Sequence, residues 1–341
     1  MKQLLLMGLA ALALAVQFGC SPGKEAPTGD QPLKVGIVYD KGGLGDKSFN
    51  DSAARGIEKA KAELGIEVVQ IESMEVGDYE SNLREVADKG CDLVFAIGYN
   101  MEKVCDTVAK EFPGVKFAIV DGTVEQPNAR SLHFKEEEGS YLVGYLAGLM
   151  TKTNKIGFVG GQEIPLIKKF EYGYLAGATA ANPRVVMLPS KYTGDWDNID
   201  VGKANASVLY GSGADIVYHA AGRAGLGVLR EAAQRKKYAI GVDSDQDGEE
   251  KGFVLTSMIK RVDFAVFETI SDLANDKFTA GAVTHDLASG GIGYSDLNYT
   301  REAIGEENIA KLEAVKQQII DGSVKVPASQ EEWEAVRPVG R

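Results

Sequence analysis

The stretch VYDKGGLGDKSFNDSAARGIEKA, residues 38–60, sets a carboxylate, Asp40, ahead of a glycine-rich loop and an aromatic ring and amide, Phe49 and Asn50, behind it. Similar residues recur where later apolar runs end. Asp121 ends KFAIVDG, Gly222 follows DIVYHAA, Asp243 ends YAIGVD and Lys260 ends VLTSMIK, while Phe170 and Trp196 follow KIGFVGG and VVMLPS. Aromatic faces combined with acceptor carboxylates suit a flat heterocycle that donates hydrogen bonds and carries hydroxyl groups. Phe170 and Trp196 also fit a plain core role.

Other chemistries have poorer support. DSDQDG (243–248) reproduces the opening of an EF-hand calcium loop, but the twelfth position, where a bidentate Glu belongs, holds Val254. GRAGLG (222–227) and GGLGD (42–46) lack the Gly-Lys-Ser/Thr ending of a phosphate-binding P-loop. His133, His219 and His285 are scattered without metal-ligand spacing, and no Gly-x-Ser-x-Gly elbow occurs. No metal, cofactor or catalytic set is expected, so a binding protein is favoured over an enzyme.

These residues must be positioned by repeating βα units. Apolar runs KVGIVYD, EVVQIES, DLVFAIG and KFAIVDG, then KIGFVGG, VVMLPS, DIVYHA and YAIGVDS, alternate with helical patterns over 51–64, 78–89, 100–111, 136–150 and 225–235. Ser48 is a plausible N-cap for the first of these helices. Such alternation argues for parallel sheets covered by helices, with the loops at strand carboxyl ends facing a ligand cleft. SLHFKEEEGSYLVGYLAGLM (131–150) breaks the rhythm, a strand–helix unit returns at 254–274, and GGIGYSDLNYT (290–300) has no helical period. Two lobes with a crossing chain explain this order better than a barrel, which needs eight similar units.

The amino terminus carries a different message. Lys2, the apolar run 4–16 and the pair Gly19-Cys20 resemble a bacterial lipoprotein signal. On that likeness residues 1–19 are a signal peptide, Cys20 takes the lipid, and 20–33 form a flexible tether holding the protein to a membrane from outside the cytoplasm. The formal net charge of −12 argues against a nucleic-acid partner. Cys91 and Cys105 lack Cys-x-x-Cys spacing and read as buried free thiols.

The motifs GDKSFND, YLVGYLAG, IGFVGG, DIVYHAAG, AIGVDSDQ and LTSMIK, in this order from about Lys34 to about Ile292, resemble the basic membrane protein family, which includes purine nucleoside receptor lipoproteins of bacterial ABC uptake systems. The resemblance implies an α/β type I periplasmic-binding fold: two Rossmann-like lobes with parallel sheets, joined by a three-stranded hinge. The lobes are expected at 34–132 plus about 258–288, and at 133–257 plus about 289–341. It further implies a monomer that passes a nucleoside to an ABC permease and its ATPase. Phe49 would stack on a purine, Asp40 and Asn50 would bond its edge, and Asp121 would lie nearby. Asp243 and Lys260 would hold ribose hydroxyls, Gly222 would give a backbone contact, and Trp196 or Phe170 would form the second aromatic wall. A sugar or autoinducer receptor of the same fold, a ligand-relaying sensor and a secreted nucleosidase are the alternatives.

Overall fold

Val35, Ile37, Val38 and Tyr39 are fully buried, and the run that carries them forms β1 (Lys34–Tyr39), a strand covered on both faces as parallel sheets require. The computed structural model describes residues 32–337; the signal segment, Cys20 and the tether up to residue 31 lie outside the described residues. After β1 come α1 (Phe49–Leu64), β2 (Glu67–Glu72), α2 (Tyr79–Asp88), β3 (Leu93–Ile97), α3 (Glu102–Glu111), β4 (Lys116–Val120) and β5 (Ala129–Phe134). The second series runs α4 (Glu136–Met150), β6 (Lys155–Gly160), α5 (Pro165–Ala181), β7 (Val186–Met187), β8 (Lys191–Tyr192), α6 (Ile199–Gly211), β9 (Ile216–Ala220), α7 (Gly225–Arg235), β10 (Tyr238–Asp243) and β11 (Val254–Lys260). Then follow α8 (Val262–Ala274), β12 (Gly281–His285) and β13 (Ile292–Tyr294).

The strands make two sheets, in the orders β12-β5-β4-β3-β1-β2 and β13-β11-β10-β9-β6-β7, with β8 also on β6. Among the described residues every strand pairing is parallel except that of β13 with β11. The fold is therefore α/β with two parallel-sheet lobes. The chain passes between them at 134–136, 260–262 and 285–292. The division expected at about 258 falls inside β11, which stays whole in the second sheet and pairs Lys260 with Ile292. Helix α8 then packs on α1 of the first lobe, where Ser52 Oγ accepts the Asp263 N–H at 3.2 Å.

Three details differ from the sequence pattern. The run VVMLPS keeps only the two residues of β7, because Pro189 has no N–H to continue a ladder, and pairing with β6 resumes at β8. Strands β5 and β12 have no long apolar run. They pair with each other in parallel, Gly281 with Arg130 through His285 with Phe134. Helix α1 begins at Phe49 rather than Asp51. In the YLVGYLAG segment, α4 lies against α5 so closely that a Cβ on Gly144 would stand 2.1 Å from the Tyr174 carbonyl, and one on Gly177 2.0 Å from that of Tyr141. These glycines are needed for that approach, which fixes the start of α5 and with it Phe170. Cys91 and Cys105 are both buried and free.

Candidate functional site

The carboxyl ends of both sheets face one cleft. Its space, with the open mouth included, is about 630 Å³. Asp40, Phe49, Asn50 and Asp121 line it from the first lobe; Phe170, Trp196, Gly222, Asp243 and Lys260 line it from the second sheet and its loops. The structure thus brings together every cleft residue singled out from the sequence.

The loop after β1 is held by its own carboxylates. Asp46 accepts the backbone N–H groups of Ser48 (2.8 Å), Asn50 (2.8 Å) and Asp51 (3.1 Å), so it satisfies N–H groups that the first turn of α1 leaves without a helical partner. Ser48 occupies the N-cap position but makes no side-chain cap bond. Its hydroxyl donates instead across the cleft to Asp243 Oδ2 at 2.5 Å. Asn50 Oδ1 accepts the Asp40 N–H at 3.2 Å, which leaves the Asn50 amide NH2 as the group available to a ligand. Asp40 accepts the Lys41 N–H at 2.7 Å and the Tyr79 hydroxyl. Burial pushes its carboxyl up to about 6, against the pull of those two donors.

Lys260 ends β11 fully buried. Its Nζ lies 2.6 and 2.7 Å from the two Asp121 oxygens and 3.0 Å from Glu136 Oε1 at the first crossing. Burial alone would favour the neutral amine, but Asp121, Glu136 and Asp243 hold the ammonium above its ordinary value. Burial raises Asp121 despite Lys260. For Glu136 the balance reverses: burial pushes up, and Lys260 with Lys169 outweighs it. The same ammonium stands 5.4 Å from the Phe49 ring centre and 5.6 Å from that of Phe170, so rings from both lobes share one cation.

Asp243 ends β10, and burial pushes its carboxyl up to about 7, against the pull of Lys260 and Ser48. The other acids of its loop turn elsewhere: Asp247 accepts the hydroxyls of Ser257 at 2.7 Å and Ser295 at 2.6 Å. Among the described residues no cluster of His, Cys, Asp and Glu could hold a metal. Trp196 is half-buried, and its indole lies on Gly161, where a Cβ would stand 2.1 Å from the ring. Its Nε1 is buried without a hydrogen-bond partner. Phe170, 3% exposed, belongs both to the core and to the cleft wall.

Sequence reasoning missed Tyr99 and Asn100, which line the cleft beside Gly98. They follow DLVFAIG, so the strand-end rule that found the others also points to them. Lys41, Leu166 and Arg223 line it too, without a residue type that marks them.

Comparison with known proteins covers nearly the whole described chain. Residues 33–330 match the model of the Bmp family, described as ABC transporter substrate-binding protein PnrA-like. The Lactococcus lactis protein named ABC transporter nucleoside-binding protein BmpA is 35% identical, over 96% of this chain and 99% of its own. The CD4+ T-cell-stimulating antigen of Listeria monocytogenes is 39% identical over 86% and 87% of the two chains. Among solved structures, an ABC transporter solute-binding protein of Aeropyrum pernix superposes with a TM-score of 0.79 at 29% identity, covering 89% of this chain and 96% of the other.

Proposed function

This chain belongs to the Bmp family of PnrA-like ABC transporter substrate-binding proteins, and from that premise we propose that it captures purine nucleosides in the interlobe cleft and delivers them to an ABC permease. The observation that carries the reading is the convergence of aromatic rings and carboxylates from both lobes on one cleft. Phe49 supplies a stacking face, and Trp196 the opposing one. Phe170, packed in the core and beside the Lys260 ammonium, backs the slot. Asp40 and the Asn50 NH2 offer an acceptor and a donor to the edge of the base, Gly222 allows a close backbone approach, and Asp243 accepts the ribose hydroxyl protons. Lys260 donates to both Asp121 oxygens and pairs in charge with Glu136, so its part is to hold Asp121 in place and lend positive charge to the site. The nucleoside-binding name of the Lactococcus lactis relative agrees with this reading.

The role is binding, not catalysis. The protein is anchored through lipid on Cys20 outside the cytoplasm and acts as a monomer with the permease and ATPase. Among the described residues no helix is long and apolar enough to cross a membrane. Mass spectrometry of membrane-extracted protein tests the anchor: a lipid on Cys20 supports it, and an intact Met1 contradicts it.

A thermal-shift panel of purine and pyrimidine nucleosides, free bases and sugars tests the ligand class, because a molecule that binds only the folded state raises the melting temperature. A shift with purine nucleosides above all others is expected. A shift with sugars alone would make the protein a sugar receptor of the same fold.

A further inference from the structure

The mouth of the cleft is spanned by a small charge cluster that the ligand-contact argument leaves unused. Lys41, next in sequence to Asp40, reaches from the first lobe to the second. Its Nζ stands 2.5 Å from Asp195 Oδ2 and 3.7 Å from Asp197 Oδ2, with the side chains 27, 34 and 37% exposed. The other oxygen of Asp195, Oδ1, accepts the N–H of Trp196 at 2.6 Å. One carboxylate therefore grips the opposite lobe with one oxygen and the backbone of the aromatic wall with the other. Two further fixings of Trp196 come from its own lobe: its carbonyl accepts the Ala224 N–H at 3.0 Å, and its indole lies on Gly161.

We infer that Lys41 and Asp195 are positioning residues whose ion pair latches the lobes across the mouth and sets Trp196 against the bound molecule. The pair spans two bodies, so it must break before the mouth opens, and it acts on the escape of ligand. A neutral nucleoside is not steered by charge, so its entry is unaffected. The pair is partly exposed, so its strength is modest and falls with salt. The ligand arm of the inference rests on the nucleoside reading above; the positioning arm does not.

The test uses the full chain with Trp333→Phe, which leaves Trp196 as the single tryptophan, since the sequence has two. Lys41→Met, Asp195→Asn, the double variant and Lys41→Arg are compared by acrylamide quenching of Trp196, and by stopped-flow binding of inosine. Each single variant is expected to raise the quenching of Trp196 even without ligand. Each is also expected to speed inosine dissociation about three- to tenfold, with association within about twofold of the parent. The double variant is expected to be no worse than the worse single one, and Lys41→Arg to behave like the parent. Unchanged quenching in both single variants, or fully additive effects in the double, would overturn the latch. If the parent binds no inosine, the nucleoside reading fails, and the quenching comparison still decides the latch.

Discussion

The carboxyl ends of β4 and β10 place the same residue in the same backbone state and then treat it differently. Asp121 and Asp243 have φ of 69° and 63°, in the left-handed region that Asp enters more readily than most residues. Each faces the shared cleft from its own lobe. Asp121 is locked to Lys260 at 2.6 and 2.7 Å and, through that ammonium, to Glu136 at a chain crossing. Asp243 meets the Ser48 hydroxyl of the opposite lobe. One carboxylate is built into a chain crossing; the other bridges the two lobes at the cleft. On the proposed function, equivalent positions in the two lobes divide the work of holding the structure and reading the ligand.

Substitutions can break that division, and the largest effect is expected at the hinge. Lys260→Met leaves Asp121 and Glu136 buried without their shared cation, a loss of about 3–5 kcal/mol of stability, measured by urea unfolding. Adding Asp121→Asn and Glu136→Gln to Lys260→Met should recover much of it. A loss below about 1 kcal/mol would mean that the triad does not hold the hinge.

Asp243→Asn is expected to act on binding instead. Asn tolerates the left-handed backbone, so the change isolates the charge, and nucleoside affinity should fall by about 1.5–3 kcal/mol in a calorimetric titration. Its effect on stability has the opposite sign at neutral pH. The folded-state pKa of about 7 lies above the ordinary carboxylate value, so the stability Asp243 contributes is full below about pH 4 and is lost as pH rises to about 7. Asp40 and Asp247, both pushed up to about 6 by burial, add to the same slope. Melting temperatures from pH 4 to 8 should therefore fall less steeply in Asp243→Asn than in the wild type. Identical slopes would show that Asp243 does not titrate in this window.

A smaller effect is expected at the ring. Phe49→Ala should weaken nucleoside binding by about 1–3 kcal/mol, while Phe49→Tyr keeps the stacking face and most of the affinity. Unchanged affinity in Phe49→Ala would take Phe49 out of the site.

Much of this architecture was legible because parallel strands buried on both faces leave dense apolar runs, and because strand carboxyl ends gather at the cleft. Phe49, Asp121 and Asp243 were visible by that rule alone. Strand β5 escaped because Arg130, Ser131 and His133 interrupt its apolar residues, and β12 because Gly281, Ala282 and Thr284 are exposed at a sheet edge. The capping role of Asp46 escaped for another reason. Ser48 stands in the better cap position, and only the closed arrangement shows its hydroxyl drawn away to Asp243. The duty of Lys260 was equally hidden, since Asp121 and Glu136 are distant in sequence and meet it only where the chain crosses between lobes.

Isothermal titration of the wild-type protein with inosine, hypoxanthine and ribose, each alone, decides whether the cleft reads a whole nucleoside. Inosine is expected to bind far more tightly than either fragment, because the rings need the base and Asp243 needs the hydroxyls. Ribose binding as tightly as inosine, or no binding of inosine at all, would contradict it.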